Sequence, residues 1–181
     1  MRIFVVVSLL IILVSGSVYC QESKSVFVGF QPAITVEPFY EEGELDIDLF
    51  PFLLEVPIGT RTNIRFLPLA NYHVGGVKNG FSDIGLYTVL PIFLGEIDEA
   101  SSKTSGLYIG PVLGFGRNLL NEHYTTTIAA EPGYMFKAEK SFTLVLGCQF
   151  GASYFSYDSQ PNKWVFHWGP KITLGFWLNG N

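Results

Sequence analysis

The feature that most constrains this chain is a two-residue alternation along its last two strand-like segments. From Ser141 to Tyr157, and again from Lys163 to Leu178, alternate residues are bulky and apolar while those between them are small or polar. Successive side chains of a β-strand point to opposite faces, so this period indicates two strands with unlike faces. The small face is rich in Gly and fits a narrow lumen, so we expect the bulky face to meet lipid. The bulky face consists of Phe142, Leu144, Leu146, Cys148, Phe150, Ala152 and Tyr154, then Trp164, Phe166, Trp168, Pro170, Ile172, Leu174 and Phe176.

Six further segments have strand character and are separated by turn signals rich in Gly, Asn, Asp, Ser and Glu. All eight segments are about 13 to 17 residues long, whereas strands of globular proteins usually have about 5–6 and a tilted membrane strand needs about 9–11. We therefore predict an all-β fold, a single antiparallel up-and-down eight-stranded transmembrane β-barrel. The predicted strands are Ser25–Glu37, Leu45–Pro57, Thr60–Tyr72, Phe81–Gly95, Ser105–Asn118, His123–Lys137, Ser141–Tyr157 and Lys163–Leu178.

Composition supports this class and excludes others. Charged residues make up 15% of the 181 residues and hydrophobic residues 48%, whereas about a quarter of a soluble domain is usually charged. Beyond residue 20 no apolar run is long enough for a membrane-spanning helix. The net charge of −5 argues against nucleic acid as a partner, because nucleic-acid binding needs a basic face.

Residues 1–20 are typical of a signal peptide, with a positive residue followed by an apolar run too short to anchor the chain. Cleavage after Cys20 leaves residues 21–181 as one outer-membrane barrel domain. Cys148 is then its only cysteine, so no intramolecular disulfide is expected. The alternative is a lipoprotein with Cys20 lipidated, but such sites favour a small residue before the cysteine and Tyr19 stands there.

An even number of strands brings both termini to one end of the barrel, the periplasmic end in the predicted orientation. The loops at the other end are short, which argues against a large receptor domain. The predicted periplasmic turns lie near 58, 95–104 and 138–140, and the outer loops near 38–44, 71–80, 118–122 and 158–162.

Seven of the predicted strands contain an internal proline, although proline lacks the N–H that a sheet ladder uses. Each proline lies about four to eight residues from the periplasmic end, which predicts a belt at similar height. The alternative is that each proline breaks a strand in a sandwich of shorter strands. The seven are Pro32, Pro51, Pro68, Pro91, Pro111, Pro132 and Pro170.

Charged residues on the inner faces must pair, since an unpaired buried charge is very costly. An eight-stranded barrel is about filled by its own side chains, so we expect these residues to plug the lumen. The alternative is a small polar pore or a gated ion path. The predicted lumen set is Gln31, Glu37, Arg61, Arg65, Glu131, Gln149, His167 and Lys171, and its charge network comprises Arg61, Arg65, Glu131, Lys171, His167 and Gln149.

Aromatic residues near the strand ends predict two girdles at the membrane surfaces. In a soluble fold the same residues would belong to the core. The expected outer girdle is Tyr124, Tyr154 and Trp164, and the periplasmic girdle is Tyr134, Phe136, Phe142 and Phe176.

No catalytic or metal-binding constellation stands out. His123 and Thr125 have the spacing of the His and Ser of outer-membrane lipid A deacylases, but strand parity turns both inward and no third group orients the histidine. The carboxylates around the first outer loop, from Glu41 to Asp48, match no calcium-loop spacing and are interpreted as a solvated acidic rim. The three histidines have no ligand spacing, so we predict no metal site and no cofactor.

The signal peptide, the eight long alternating strands and the final run from Gly169 to Trp177 resemble the small outer-membrane β-barrel proteins of diderm bacteria. The resemblance rests on pattern and covers residues 25–178. It implies a cell outer-membrane location, lipid as the neighbour and insertion by the barrel-assembly machinery; we also expect a monomer. Such proteins often end on an aromatic residue, whereas here Leu178-Asn179-Gly180-Asn181 follow Phe176 and Trp177.

Three functions are consistent with the sequence. The leading hypothesis is a non-enzymatic outer-membrane barrel with a structural, adhesive or small-solute role. The second is a barrel-embedded lipid hydrolase that uses His123. The third is a secreted soluble β-barrel that binds an apolar ligand inside, and it requires the bulky faces to point inward.

Overall fold

A computed structural model describes residues 25–32, 34–35, 45–75, 79–95, 104–137, 142–158 and 160–178. The described residues do not include the predicted signal peptide, Glu37, the carboxylates at 41–44 or most of the two longer turns that were predicted to be periplasmic. The strands are β1 Val26–Phe30, β2 Ile34–Thr35, β3 Leu45–Asp48, β4 Phe52–Pro57, β5 Asn63–Val74, β6 Gly80–Val89, β7 Ile92–Phe93, β8 Gly106–Asn118, β9 His123–Lys137, β10 Phe142–Tyr157 and β11 Lys163–Leu178. Within the described ranges, no helix is long and apolar enough to cross a membrane.

The strands form one closed antiparallel sheet. β1 pairs with β4 on one side and with β11 on the other, so the first and last strands close the barrel. β1 and β2 follow one another along one barrel strand, as do β3 and β4, and β6 and β7, which gives eight strands around the barrel. The predicted all-β, antiparallel eight-stranded barrel is therefore confirmed, and β9 and β11 have the predicted bounds.

The two ends of the barrel differ in what they contain. We call the end that holds Val26 and Leu178 the terminus end, because these residues pair across the closure of the barrel. The opposite end holds the tight turn 119–122 between β8 and β9, and we call it the loop end.

Prolines explain why three barrel strands are divided. The breaks between β1 and β2, β3 and β4, and β6 and β7 contain Pro32, Pro51 and Pro91. The carbonyl of Pro51 still accepts a hydrogen bond from the Gln31 N–H at 2.7 Å, so only the donor side of the ladder is lost. The remaining four prolines lie inside continuous strands; they are Pro68, Pro111, Pro132 and Pro170.

The break at Pro51 is a β-bulge. Phe30 pairs with Phe52, but Ile34 pairs with Ile47, so the second barrel strand uses one more residue than the first over this stretch. A bulge leaves one residue without a ladder partner, which suits a residue that has no N–H. The prolines thus interrupt strands within one closed barrel, not between the sheets of a sandwich.

Exposure alternates along the strands, and the bulky apolar side chains point outward. Phe150 of β10 and Trp168 of β11 are exposed on the outer face, whereas the inward-facing Gln149 and Thr173 of the same two strands are buried. The outward orientation agrees with the faces predicted for β10 and β11. The interior contains an apolar cluster of Phe27, Leu53, Leu67, Val89, Phe93, Tyr108, Val112, Met135, Val145 and Trp177.

Inward-facing glycines make room for aromatic rings in this narrow interior. A Cβ at Gly133 would overlap the ring of Tyr108, and one at Gly114 would lie 2.6 Å from the ring of Tyr87. Tyr108 can therefore extend across the lumen from β8 towards β9 and β10. Inward glycines of β8 and β9 thus leave room for the rings that line the polar site.

Candidate functional site: a polar network inside the barrel

Arg65 is the centre of a fully buried ion-pair network. It lies on the inner face of β5 with 1% of its surface exposed. Its Nε donates to Oε2 of Glu55 at 2.7 Å, and its Nη1 donates to Oε1 of Glu131 at 2.8 Å. Glu55 is the direct cross-strand neighbour of Arg65, whereas Glu131 lies on β9, which does not pair with β5. One guanidinium thus joins two carboxylates from different parts of the barrel wall.

Glu131 accepts hydrogen bonds on both of its carboxylate oxygens. The Tyr108 hydroxyl donates to Oε1 at 2.7 Å, and Nε2 of Gln149 donates to Oε2 at 2.6 Å. The Arg65 guanidinium also lies over the Tyr108 ring, 5.3 Å from its centroid, in a cation–π contact. These contacts hold the Glu131 carboxylate from three sides and compensate for the water that it lacks.

The network continues towards both ends of the barrel. On the Glu55 side, Nδ2 of Asn63 donates to Oε1 of Glu55 at 2.5 Å and to Oγ1 of Thr104 at 2.7 Å. On the other side, Oε1 of Gln149 lies 3.1 Å from Nε2 of His167. Hydrogen bonds therefore connect β4, β5, β8, β9, β10 and β11 through the interior.

A second, smaller polar group lies next to His167. The ring of Tyr87 stacks on His167 with centroids 6.1 Å apart. The Tyr87 hydroxyl lies 3.2 Å from Oγ1 of Thr127, which lies 2.7 Å from Oγ of Ser153. The interior towards the loop end is therefore polar.

The interior towards the terminus end also contains apolar side chains. Phe27 and Trp177 pack with ring centroids 5.4 Å apart, and both are buried. Met135, Val145 and Phe93 are buried near the same ends of their strands. We call these five residues the terminal apolar cluster.

Four residues of the predicted charge network are joined in the structure. Arg65 and Glu131 form an ion pair, and Gln149 and His167 extend it. Lys171 faces the lumen half-buried and makes no ion pair within 4 Å with the described residues; Glu131 and Asp48 are among its electrostatic neighbours.

The prediction that Arg61 belongs to the lumen network is wrong. Arg61 is exposed in the tight turn between β4 and β5. Its carbonyl accepts a hydrogen bond from the Phe93 N–H at 2.8 Å, and the turn is closed by bonds from Ile58 and Gly59 to Thr62. Arg61 lies in the turn where the chain reverses direction at the terminus end, so its side chain does not enter the lumen. Gln31, from the wider lumen set, is buried and accepts a hydrogen bond from Thr173 at 2.9 Å, outside the network.

Glu55, Asn63 and Tyr108 belong to the network but were not predicted from the sequence. Glu55 could have been predicted from the sequence, because it is the only charged residue in the otherwise apolar segment 52–57. Tyr108 gave no such signal, since an aromatic residue fits either face of a barrel strand.

His123 is buried at the loop end, inside the barrel. Its ring packs between Phe155 and Tyr157, with centroids 4.8 and 4.7 Å away. Its Nδ1 has no hydrogen-bond partner among the described residues, and no bond joins it to Thr125. The inward orientation expected from parity is present, and two aromatic rings flank the imidazole.

The aromatic residues expected at the girdles lie near the two ends of the outer surface. Tyr154 and Trp164 are cross-strand neighbours near the loop end with centroids 5.0 Å apart, and Phe142 and Phe176 are neighbours near the terminus end with centroids 5.4 Å apart. Tyr124 is exposed near the loop end, beneath the guanidinium of Arg117. The other two residues of the predicted periplasmic girdle are Tyr134 and Phe136, and both are exposed near the terminus end.

Both carboxylates of the network accept hydrogen bonds from buried donors on other strands. No family model matches the sequence, and no curated protein is significantly similar to it.

Proposed function

We propose that this chain is a small integral barrel of the bacterial outer membrane, exported by its N-terminal signal peptide. Its role is structural, adhesive or concerned with small solutes, and it is not an enzyme. The observation that carries this proposal is the chemistry of the outer face. Apart from Arg117, which lies one residue from the end of β8, no described Asp, Glu, Lys or Arg side chain points outward from a strand. The outer face is instead covered by exposed Phe, Trp, Tyr, Leu and Ile.

The height of this apolar band suits a bilayer. Trp164 and Phe176 are twelve residues apart on β11, which is about 40 Å along the strand at about 3.3 Å per residue. A tilt of about 40° reduces this to about 30 Å of height, close to the hydrocarbon thickness of a membrane. Aromatic residues at both limits of the band are typical of transmembrane barrels.

Water would be a poor solvent for this surface. Monomeric soluble proteins rarely expose contiguous apolar patches larger than a few hundred Å². The soluble-barrel hypothesis requires the bulky faces to point inward, and on β10 and β11 they point outward. The charged side chains of Glu55, Arg65 and Glu131, in contrast, are buried on the inner face.

The contents of the lumen support a closed interior. The polar network crosses it, and the terminal apolar cluster fills the terminus end with side chains. A barrel of eight strands has an interior just wide enough for its own side chains. We therefore infer that the barrel is plugged and has no wide pore. Its partners in this proposal are outer-membrane lipid and, during biogenesis, the barrel-assembly machinery, and it acts as a monomer.

Tryptophan fluorescence tests the proposal with a control inside the chain. Trp168 points outward with 62% of its surface exposed, whereas Trp177 points inward with 4% exposed. Two variants of the mature chain keep one of these residues and carry Phe at the other two tryptophan positions. In vesicles of phospholipids with brominated acyl chains, Trp168 is expected to be strongly quenched and Trp177 much less.

The companion measurement is gel mobility. A membrane barrel is expected to migrate faster before boiling than after it, because the folded barrel resists detergent. The proposal fails if the protein stays soluble without detergent, migrates identically in both states and shows no quenching at Trp168.

A further inference from the structure

Two buried polar atoms of the network have no hydrogen-bond partner among the described residues, and they belong to neighbouring inward positions of β5. One is the donor Nη2 of Arg65 and the other is the acceptor Oδ1 of Asn63. Both side chains are buried to within 1% of their full surface. Nearly all buried polar atoms of native proteins are satisfied by protein or by ordered water, so a pair of unsatisfied atoms at one place calls for an explanation.

The orientation of the Asn63 amide is fixed by its neighbours. Its Nδ2 lies 2.5 Å from Oε1 of Glu55, and a carboxylate in an ion pair only accepts. The same Nδ2 reaches Oγ1 of Thr104 at 2.7 Å. The amide nitrogen must therefore face Glu55, and the unsatisfied atom is the oxygen, an acceptor.

Glu55 brings the two unsatisfied atoms together. It accepts from Asn63 on Oε1 and from Nε of Arg65 on Oε2. Two side chains on the same face of a strand, two positions apart, have Cα atoms about 6.6 Å from each other. Both side chains therefore converge on the Glu55 carboxylate from neighbouring inward positions, which puts the two unsatisfied atoms in the same part of the interior.

The chemistry of the two atoms selects that molecule. It must accept a hydrogen bond from a guanidinium and donate one to an amide oxygen. A fully deprotonated anion has no proton to donate and is repelled by Glu55 and Glu131, whereas a metal cation is repelled by Arg65 and cannot accept a hydrogen bond. We propose that one ordered water bridges Nη2 of Arg65 and Oδ1 of Asn63 and closes a ring through Glu55. This site depends on the interior geometry alone and holds whether or not the barrel lies in a membrane.

A crystal structure of the mature chain in detergent, at a resolution that shows ordered waters, tests the site directly. The expected result is a density peak about 2.7–3.2 Å from both atoms. The proposal is overturned if the map has no such peak, or if either atom bonds to a protein group instead.

An NMR experiment in micelles gives an independent result. The side-chain protons of Arg65 are expected to show a cross-peak to a long-lived water, and Asn63→Leu is expected to abolish it. Asn71→Leu is the matched control, since Asn71 is another inward asparagine of β5 outside the network. A cross-peak that survives Asn63→Leu at full strength contradicts the bridge; if that variant does not fold, the wild-type density decides.

Discussion

Arg65 and Glu131 meet across the interior of the barrel, with Nη1 of the arginine 2.8 Å from Oε1 of the glutamate. They lie on β5 and β9, which share no hydrogen-bonded edge. Sheet pairing fixes each strand only against its neighbours, whereas this contact fixes opposite parts of the wall against each other. The network therefore specifies one arrangement of the barrel interior.

Arg65→Met is expected to destabilise the barrel by about 3–5 kcal/mol, because it leaves two buried carboxylates without their cation. Urea unfolding in detergent, followed by gel mobility, measures the loss. Arg61→Met is the matched control, since Arg61 is exposed in a turn and surface substitutions usually change stability by less than about 0.5 kcal/mol.

A triple variant separates charge from packing. Glu55→Gln, Arg65→Met and Glu131→Gln together remove both carboxylate charges along with the guanidinium, so the triple variant is expected to be more stable than Arg65→Met alone. If the triple variant is the less stable of the two, hydrogen bonding and shape matter more here than uncompensated charge.

Strand positions were predictable from the sequence because alternation is a local signal. The predicted bounds of β9 and β11 needed only the period of two and the flanking turn residues. The division of the second barrel strand at Pro51 was harder to predict, because the bulge depends on the register against both neighbours.

The network was only partly predictable, because it depends on which inward residues share a height. Arg65 and Glu131 were singled out as charges on inner faces, but their contact depends on the stagger of the two barrel strands that lie between β5 and β9, the strand formed by β6 and β7 and the strand β8. Arg61 was misplaced because it lies two residues before the start of β5. So close to a strand end, the alternation of residues does not show whether a side chain faces the lumen or belongs to the turn. Tyr108 joins the network only because glycines at 133 and 147 leave room for its ring.

Gly133→Ala is expected to cost about 1–3 kcal/mol, the usual range for overpacking a tight interior. A Cβ at this position would overlap the Tyr108 ring and lie 2.7 Å from the carbonyl oxygen of Leu146. Gly169→Ala is the control, because a Cβ there meets none of the described atoms within 4 Å. Urea midpoints of the two variants in the same detergent provide the comparison, and equal midpoints would show that the ring of Tyr108 moves aside freely.

Cys148 reports on the surroundings of the outer face. It is half-buried on that face of β10, opposite Pro170 of β11. In vesicles, a charged, membrane-impermeant maleimide is expected to leave Cys148 of the mature chain unmodified until the protein is unfolded. A Cys148→Ser, Asp158→Cys variant is expected to react at once, because position 158 is exposed in the turn after β10. Similar rates at both positions in the folded protein would mean that water reaches the middle of the apolar band.

Ile128→Arg distinguishes a lipid-facing surface from a water-facing one by stability. Ile128 is 58% exposed on the outer face of β9, within the apolar band, and Leu119 is 39% exposed in the turn at the loop end. An outward arginine near the middle of a bilayer costs about 2–4 kcal/mol, and one near the interface costs about 0–1. Folding into vesicles is therefore expected to be weakened by Ile128→Arg and nearly unchanged by Leu119→Arg. On a barrel surrounded by water, both changes would replace exposed apolar surface with charge, so equal and small effects would exclude lipid as the neighbour of Ile128.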